Sequence, residues 1–172
     1  CTQRFGWQLG ELPEGYDHKY IYSHVGYNLK PTDLQAAIGV AQLDRLPEFI
    51  EKRRANFQRL YKALEPYQDF IILPRWDPRA RPSWFGFPIT VTSKTSKREL
   101  VQWLEAAKIE TRAIFGGNIL RQPGYVGIPC RIAGGLDRSD LIMRDSFFIG
   151  VYPGLTDAML DFMIDRLHGF FA

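Results

Sequence analysis

A chain of 172 residues is long enough for one domain with a real core and too short for two large ones. With 45% apolar, 14% aromatic and 24% charged residues it has the composition of an ordinary globular protein, and no apolar run approaches the length of a membrane span. The net charge is only +3 and the basic residues are scattered, so neither a nucleic-acid footprint nor a membrane partner is expected. The densest basic cluster, Lys52-Arg53-Arg54, falls among acids on an expected helix and reads as a solvated face. Cys1 and Cys130 are too few for a disulfide framework, which points to a cytoplasmic, reducing compartment. The chain opens on Cys1 rather than Met, inside a motif-like stretch, and a cut boundary is expected there.

Residues 1–30 are rich in Gly, Tyr and His without a helical period, apart from a short strand candidate at Tyr20-Ile21-Tyr22. This segment should need another body to pack on. Pro31 followed by Thr32 or Asp33 suits a helix start, and Leu34, Ala37, Ile38 and Ala41 form one apolar stripe. Pro47 is expected to break or restart the helix, which then carries Phe49, Ile50, Arg53, Phe57, Leu60, Tyr61 and Leu64 on one side until Pro66. Phe70 to Leu73 and Trp84 to Val91 read as strands, and Pro88 places the second at an edge or a bulge. Ser96 to Glu99 is a capping box opening a helix, and Thr111 to Phe115 a further strand. Residues 116–137 form a long Gly-rich loop of the kind that often carries function. A short helix from Ser139 to about Asp145, a buried strand from Phe147 to Val151 and a Thr156-capped last helix complete the chain. The order predicts an α+β domain with a small, mostly antiparallel sheet covered by helices.

Three stretches have the chemistry of a binding site. In Gly26-Tyr27-Asn28-Leu29-Lys30, an amide and an ammonium group precede a helix start, where free N–H groups and the helix dipole favour an anion such as phosphate. The same residues also read as an ordinary turn with Lys30 in solvent. In Ser83-Trp84-Phe85-Gly86-Phe87-Pro88, aromatics flanking a glycine suit stacking against a base or sugar, or simply core packing. Arg112, together with Asn118, Arg121 and Gln122 in the Gly-rich loop, suits a polyanionic or polyhydroxylated ligand, since guanidinium groups grip diphosphates bidentately, or else a solvated loop. His18, His24 and His168 do not make a metal set, and a lone Cys1 holds no iron–sulfur cluster unaided.

The run Tyr16 to Ala37, with Gly26-Tyr-Asn-Leu-Lys30 leading into Thr32-Asp-Leu-Gln-Ala-Ala37, resembles the DegT/DnrJ/EryC1/StrS family of sugar aminotransferases. Arg4 to Gly10, Ser83 to Ile89, Gly117 to Pro123 and Ile149 to Leu155 are similar to one branch, which acts as a dehydrase on CDP-4-keto-6-deoxyglucose in 3,6-dideoxyhexose biosynthesis. The resemblance implies the C-terminal small domain of a fold type I enzyme dependent on pyridoxal phosphate (PLP). It divides the chain into an active-site segment at 1–30 that belongs with a missing large domain, connecting helices at 31–66 and an α+β domain at 67–172.

The resemblance further implies a homodimer with composite active sites and pyridoxamine phosphate (PMP) as the working cofactor. It implies removal of the C-3 hydroxyl, and a [2Fe–2S] cluster fed by an NADH-dependent flavin and iron–sulfur reductase. Asn28 and Lys30 correspond to cofactor-phosphate contacts, and Cys1 to the last cluster cysteine. Trp84, Phe85, Arg112, Asn118 and Arg121 fall in segments bordering the nucleotide sugar. The catalytic base is expected upstream, so the chain alone should be inactive. A PLP-dependent aminotransferase of the same family, and a non-catalytic interaction domain, are the rival readings.

Overall fold

The structure, a computed structural model, describes Gly6, Tyr27, residues 29–125 and residues 127–172. The expectations for Cys1, for the strand at residues 20–22 and for Asn28 fall outside the described residues. The chain divides into two compact units, Cys1–Ala41 and Gln42–Ala172.

Helix α1 spans Asp33–Leu43 and buries none of its residues. Thr32 and Gln35 close its start reciprocally: the Thr32 N–H donates to Gln35 Oε1 at 2.8 Å, and the Gln35 N–H to Thr32 Oγ1 at 3.4 Å. Helix α2, Leu46–Leu64, restarts the chain with Pro47 in its first turn, where a missing N–H costs nothing. Pro66 then confines the continuation to a single 3-10 turn, Glu65–Tyr67.

Strands β1 (Ile71–Ile72), β2 (Gly86–Val91), β3 (Thr111–Ala113) and β4 (Ser146–Gly150) form one sheet in the order β1-β2-β4-β3, every pairing antiparallel. Since β2 and β3 both run against β4, they are parallel to each other. Helix α3 (Lys97–Ala106) carries the chain between them, and β4 enters the gap afterwards, as in a split βαβ unit. Helix α4 (Asp137–Asp145) runs straight into β4, and α5 (Asp157–Phe171) closes the chain. Ser96 and Thr156 cap α3 and α5 by accepting the N–H of Glu99 and Met159, each at 3.3 Å.

Pro88 lies in β2, which is central by order, opposite Phe148 in an unbroken register. It is tolerated because β1 is two residues long and reaches only Thr90 and Val91. Among the described residues Pro88 therefore has no strand partner on its β1 side, and the strand is locally an edge there.

The core lies between the sheet and helices α2, α3 and α5. Phe87, Ile89 and Val91 of β2 meet Phe147 and Ile149 of β4 on the inner face, and Phe57, Leu60, Leu64, Leu100, Leu104 and Leu167 cover them. Burying each such side chain contributes about 1.5–3 kcal/mol. Arg59 of α2 bridges Asp157 and Asp161 of α5, and His168 Nε2 lies 2.9 Å from the Ala63 carbonyl, so the two helices are also tied at their polar margins.

Phe57 is 1% exposed and stacks on Trp84, with centroids 4.1 Å apart and planes within 7°. Phe57→Ala should cost about 3–5 kcal/mol in denaturant unfolding, through lost burial and the cavity left behind.

Candidate functional site

Side chains alternate across a strand, so Phe147 and Ile149 facing the helices oblige Phe148 to face the other way. On that second face Phe148 sits opposite Pro88 on one side and Arg112 on the other. Phe85 (68% exposed) approaches Phe148 edge-on at 5.6 Å between centroids, and Phe115 (83% exposed) lies tilted to it at 6.5 Å. Three phenyl rings and a guanidinium thus share one open sheet face. Arg112 is paired with Glu110. The pair is exposed on both sides and contributes little to stability. A largely apolar groove of about 730 Å³ opens at this end of the sheet, with Phe85, Phe148, Arg112, Lys108 and Tyr152 among its lining.

Arg53 of α2 fixes the aromatic at the mouth. Its Nη1 donates to the carbonyls of Trp84 (3.0 Å) and Phe85 (3.3 Å), holding the extended segment ahead of β2. Buried Asn56 donates to the Tyr152 carbonyl at 3.0 Å and fixes the chain where it leaves β4.

The loop after β3 is mounted on α4. Phe115 takes a left-handed φ of 45°, a strained conformation for a bulky residue, and its N–H donates to the Ala113 carbonyl at 2.7 Å. Gly117 follows with φ 60° and presses on Met143 so closely that a Cβ there would lie 2.6 Å from the methionine Cβ. Asn118 is 3% exposed; its Nδ2 donates to Asp140 Oδ1 (2.7 Å) and its Oδ1 accepts the Leu120 N–H (3.1 Å). Arg121 donates from Nε to Asp140 Oδ1 (3.1 Å) and from Nη2 to Asp140 Oδ2 (2.8 Å). Hydrogen bonds from Arg121 and then Asn118 hold the Asp140 carboxyl down at about 2, well below the usual carboxylate range. From α3, Lys97 Nζ reaches the Met143 carbonyl at 3.1 Å, and burial lowers its pKa.

The residues singled out in the sequence are thus distributed unevenly. Phe85 and Arg112 come together on the open face, and Asn118 and Arg121 come together on Asp140. Trp84 turns the other way, onto Phe57 and Trp76 at the margin of the core. Lys30 belongs to the first unit, exposed, two residues ahead of the Thr32 cap. Phe115, Phe148, Arg53 and Asp140 were not singled out. Only Phe148 had a signal in the sequence, since two adjacent phenylalanines in a strand must face opposite sides. Among the described residues no group of three or more His, Cys, Asp and Glu is placed to hold a metal, and no helix is long and apolar enough to cross a membrane.

A four-stranded antiparallel sheet assembled by a late inserted strand, with helices on one face, is the small-domain arrangement of fold type I PLP-dependent enzymes. The GDP-4-keto-6-deoxy-D-mannose-3-dehydratase of Escherichia coli, solved with bound hydrated PLP, matches it with a TM-score of 0.77 and 25% identity, over 87% of this chain and 38% of that one. The chain belongs to the DegT/DnrJ/EryC1/StrS aminotransferase family, whose sequence model matches residues 9–168. It is 51% identical over 99% of its length to the lipopolysaccharide biosynthesis protein RfbH of Salmonella typhimurium, covering 40% of that protein. It is 45% identical over 100% of its length to the dTDP-4-dehydro-2,6-dideoxy-D-glucose 3-dehydratase of Saccharopolyspora spinosa, covering 37% of it. The chain therefore spans about two fifths of the length of these curated relatives.

Three outcomes follow from the loop and its mount. Gly117→Ala meets both a left-handed φ and Met143, and should lower stability by about 1–3 kcal/mol in thermal or denaturant melts. Gly124→Ala, with open space around it, should be neutral or slightly stabilising. The depressed Asp140 pKa contributes stability that is present above its unfolded value of about 3.9 and lost as pH falls through about 2. The stability difference between the wild type and Asp140→Asn should accordingly shrink as pH falls across that window in urea titrations.

Proposed function

We propose that this chain is the C-terminal part of a PMP-dependent nucleotide-sugar 3-dehydratase. The enzyme would remove the C-3 hydroxyl of CDP-4-keto-6-deoxyglucose on the way to a 3,6-dideoxyhexose of lipopolysaccharide. The observation that carries the reading is 45% identity across the whole chain to a protein named as a nucleotide-sugar 3-dehydratase, beside 51% to one named for lipopolysaccharide biosynthesis. The aminotransferase relative EpsN of Bacillus subtilis is 30% identical over 56% of the chain, which makes amino-group transfer the second reading.

The residues present fit such a role. Phe85, Phe148 and Phe115 offer faces and edges for a base or sugar ring, and Arg112 a cation for the diphosphate. Asn28 and Lys30, just ahead of α1, are the proposed contacts to the cofactor phosphate, the lysine neutralising charge beside the first N–H groups of the helix. PMP, when bound, supplies the amine that engages the C-4 ketone and the electron sink for loss of the C-3 hydroxyl. The chain's own part is to orient the nucleotide end of the substrate and to wall off water on the small-domain side.

Helix α1 leaves Leu34 80% and Ile38 65% exposed, which supports α1 packing on a large domain that carries the catalytic base, and residues 1–30 are proposed to belong with that domain. Residues 31–66 are proposed to connect it to the small domain at 67–172, with α2 also packing into the core of the latter. A cytoplasmic homodimer, a [2Fe–2S] cluster with Cys1 as one ligand and an NADH-dependent flavin and iron–sulfur reductase complete the proposal. Cys130, exposed and free, has no part in it.

The test is turnover by the parent enzyme containing this chain. With PMP, CDP-4-keto-6-deoxyglucose, NADH and the reductase, the product should lack the C-3 oxygen. A 4-amino sugar formed at the expense of glutamate would replace dehydration with transamination. In the same enzyme Asn28→Ala should weaken PMP binding, followed by cofactor absorbance, and Phe85→Ala should raise KM for the nucleotide sugar about tenfold through lost stacking.

A further inference from the structure

The loop after β3 carries an arginine whose hydrogen bonds are only half used. Asp140 grips Arg121 by the Nε and Nη2 edge of its guanidinium, at 3.1 and 2.8 Å. A bidentate grip on that edge leaves the Nη1–Nη2 edge of the same plane for a second bidentate acceptor. Among the described residues no hydrogen bond engages Nη1, and the Arg121 side chain is 60% exposed. The carboxylate is itself held. Asn118, 3% exposed, donates to Asp140 Oδ1 at 2.7 Å, and Gly117 beside it rests on Met143, one turn along α4. Lys97 fastens the last turn of α4 to α3 through the Met143 carbonyl. The two bonds to Asp140 set the plane of the guanidinium, while Asn118, Gly117 and Lys97 tie the loop and α3 to the helix that runs into β4, the strand bearing Phe148. An exposed arginine on a solvated loop needs no such mount.

We propose that Asp140 is a positioning residue: it holds Arg121 so that the free guanidinium edge grips the diphosphate of the nucleotide-sugar substrate. The inference rests on the functional reading above and names the substrate group that this loop recognises. The ligand class follows from the donor geometry, since two parallel N–H donors in one plane match the paired oxygens of a phosphate. Asn118 serves the loop rather than the ligand, because both ends of its amide are already engaged. Asp140 touches neither substrate nor cofactor and acts through Arg121 alone. Because the carboxylate offsets the charge of Arg121, what it secures is direction rather than long-range attraction.

The experiment uses the parent enzyme loaded with PMP and compares wild type, Arg121→Ala, Asp140→Ala, Asp140→Asn and the Arg121→Ala/Asp140→Ala double variant. KM and kcat for CDP-4-keto-6-deoxyglucose are measured with competitive inhibition by CDP and by cytidine, which lacks phosphate. Asp140→Ala and Arg121→Ala should each raise KM and the CDP inhibition constant about tenfold, with kcat within about twofold and PMP affinity unchanged. Inhibition by cytidine should stay at the wild-type level, which a general disturbance of the site would not leave intact. The double variant should be no worse than Arg121→Ala alone, because the two residues act as one unit. Asp140→Asn, which keeps one oxygen acceptor and the side-chain volume, should fall between the wild type and Asp140→Ala, and it carries the test if the alanine variant does not fold. Wild-type CDP inhibition in both Asp140 variants, multiplying effects in the double variant, or an equal loss of cytidine would overturn the assignment. A wild-type enzyme active on the sugar but indifferent to Asp140 removes this inference alone. A wild-type enzyme that processes no nucleotide sugar removes the functional reading and this inference with it.

Discussion

The two-residue period of β4 is the constraint on which the domain and its candidate site both depend. β4 is the strand that joins β2 to β3, so its register sets the register of the sheet. Phe147 and Ile149 complete the core between β2 and the helices, and each is at most 1% exposed. A slip of one residue would put Phe148 into the core and turn those two outward, reversing every side chain of the strand. Core packing therefore fixes, without further cost, where Phe148 stands. Phe148 is the ring around which Phe85, Phe115 and Arg112 collect. The open face is the geometric complement of the core.

The remainder of the face is secured from two sides. Arg53 of α2 reaches past the end of β2 to hold the backbone at Trp84 and Phe85, which turns one ring to the core and the next to solvent. On the opposite flank α4 carries the Gly-rich loop through Met143 and Asp140. Both devices are polar or steric contacts at the margin of an apolar core. A substitution that weakens one of them can disturb the open face while leaving the hydrophobic centre intact.

The elements were largely legible because local chemistry specifies them. Ser96 and Thr156 cap the helices they were expected to cap, and Pro47 and Pro66 delimit α2 as their missing N–H groups require. Helix α4 begins at Asp137, two residues before the expected Ser139, because the N-cap position falls on Leu136 and no side chain marks the start. The strand order was not legible, since it rests on pairings between distant segments. Within the site, an aromatic pair such as Trp84-Phe85 announces that one ring faces the core but not which one; Phe57, stacked on Trp84, decides it. The partner of Arg121 was hidden for a related reason. Asp140 lies 19 residues away on a helix with several acids, and nothing local distinguishes it from the others.

The late position of β4 also sets an order of events during synthesis. Strands β2 and β3 are both synthesised before β4, the strand that stands between them in the finished sheet. Until then both strands present unpaired edges, with Phe87 and Ile89 lacking half of their cover. Closure of the sheet is a non-local step that waits for Ser146–Gly150, followed by α5 as its lid on the helical side. A nascent chain stalled before that point would lack both β4 and α5, and so would have no finished core. It would be a natural client for chaperones.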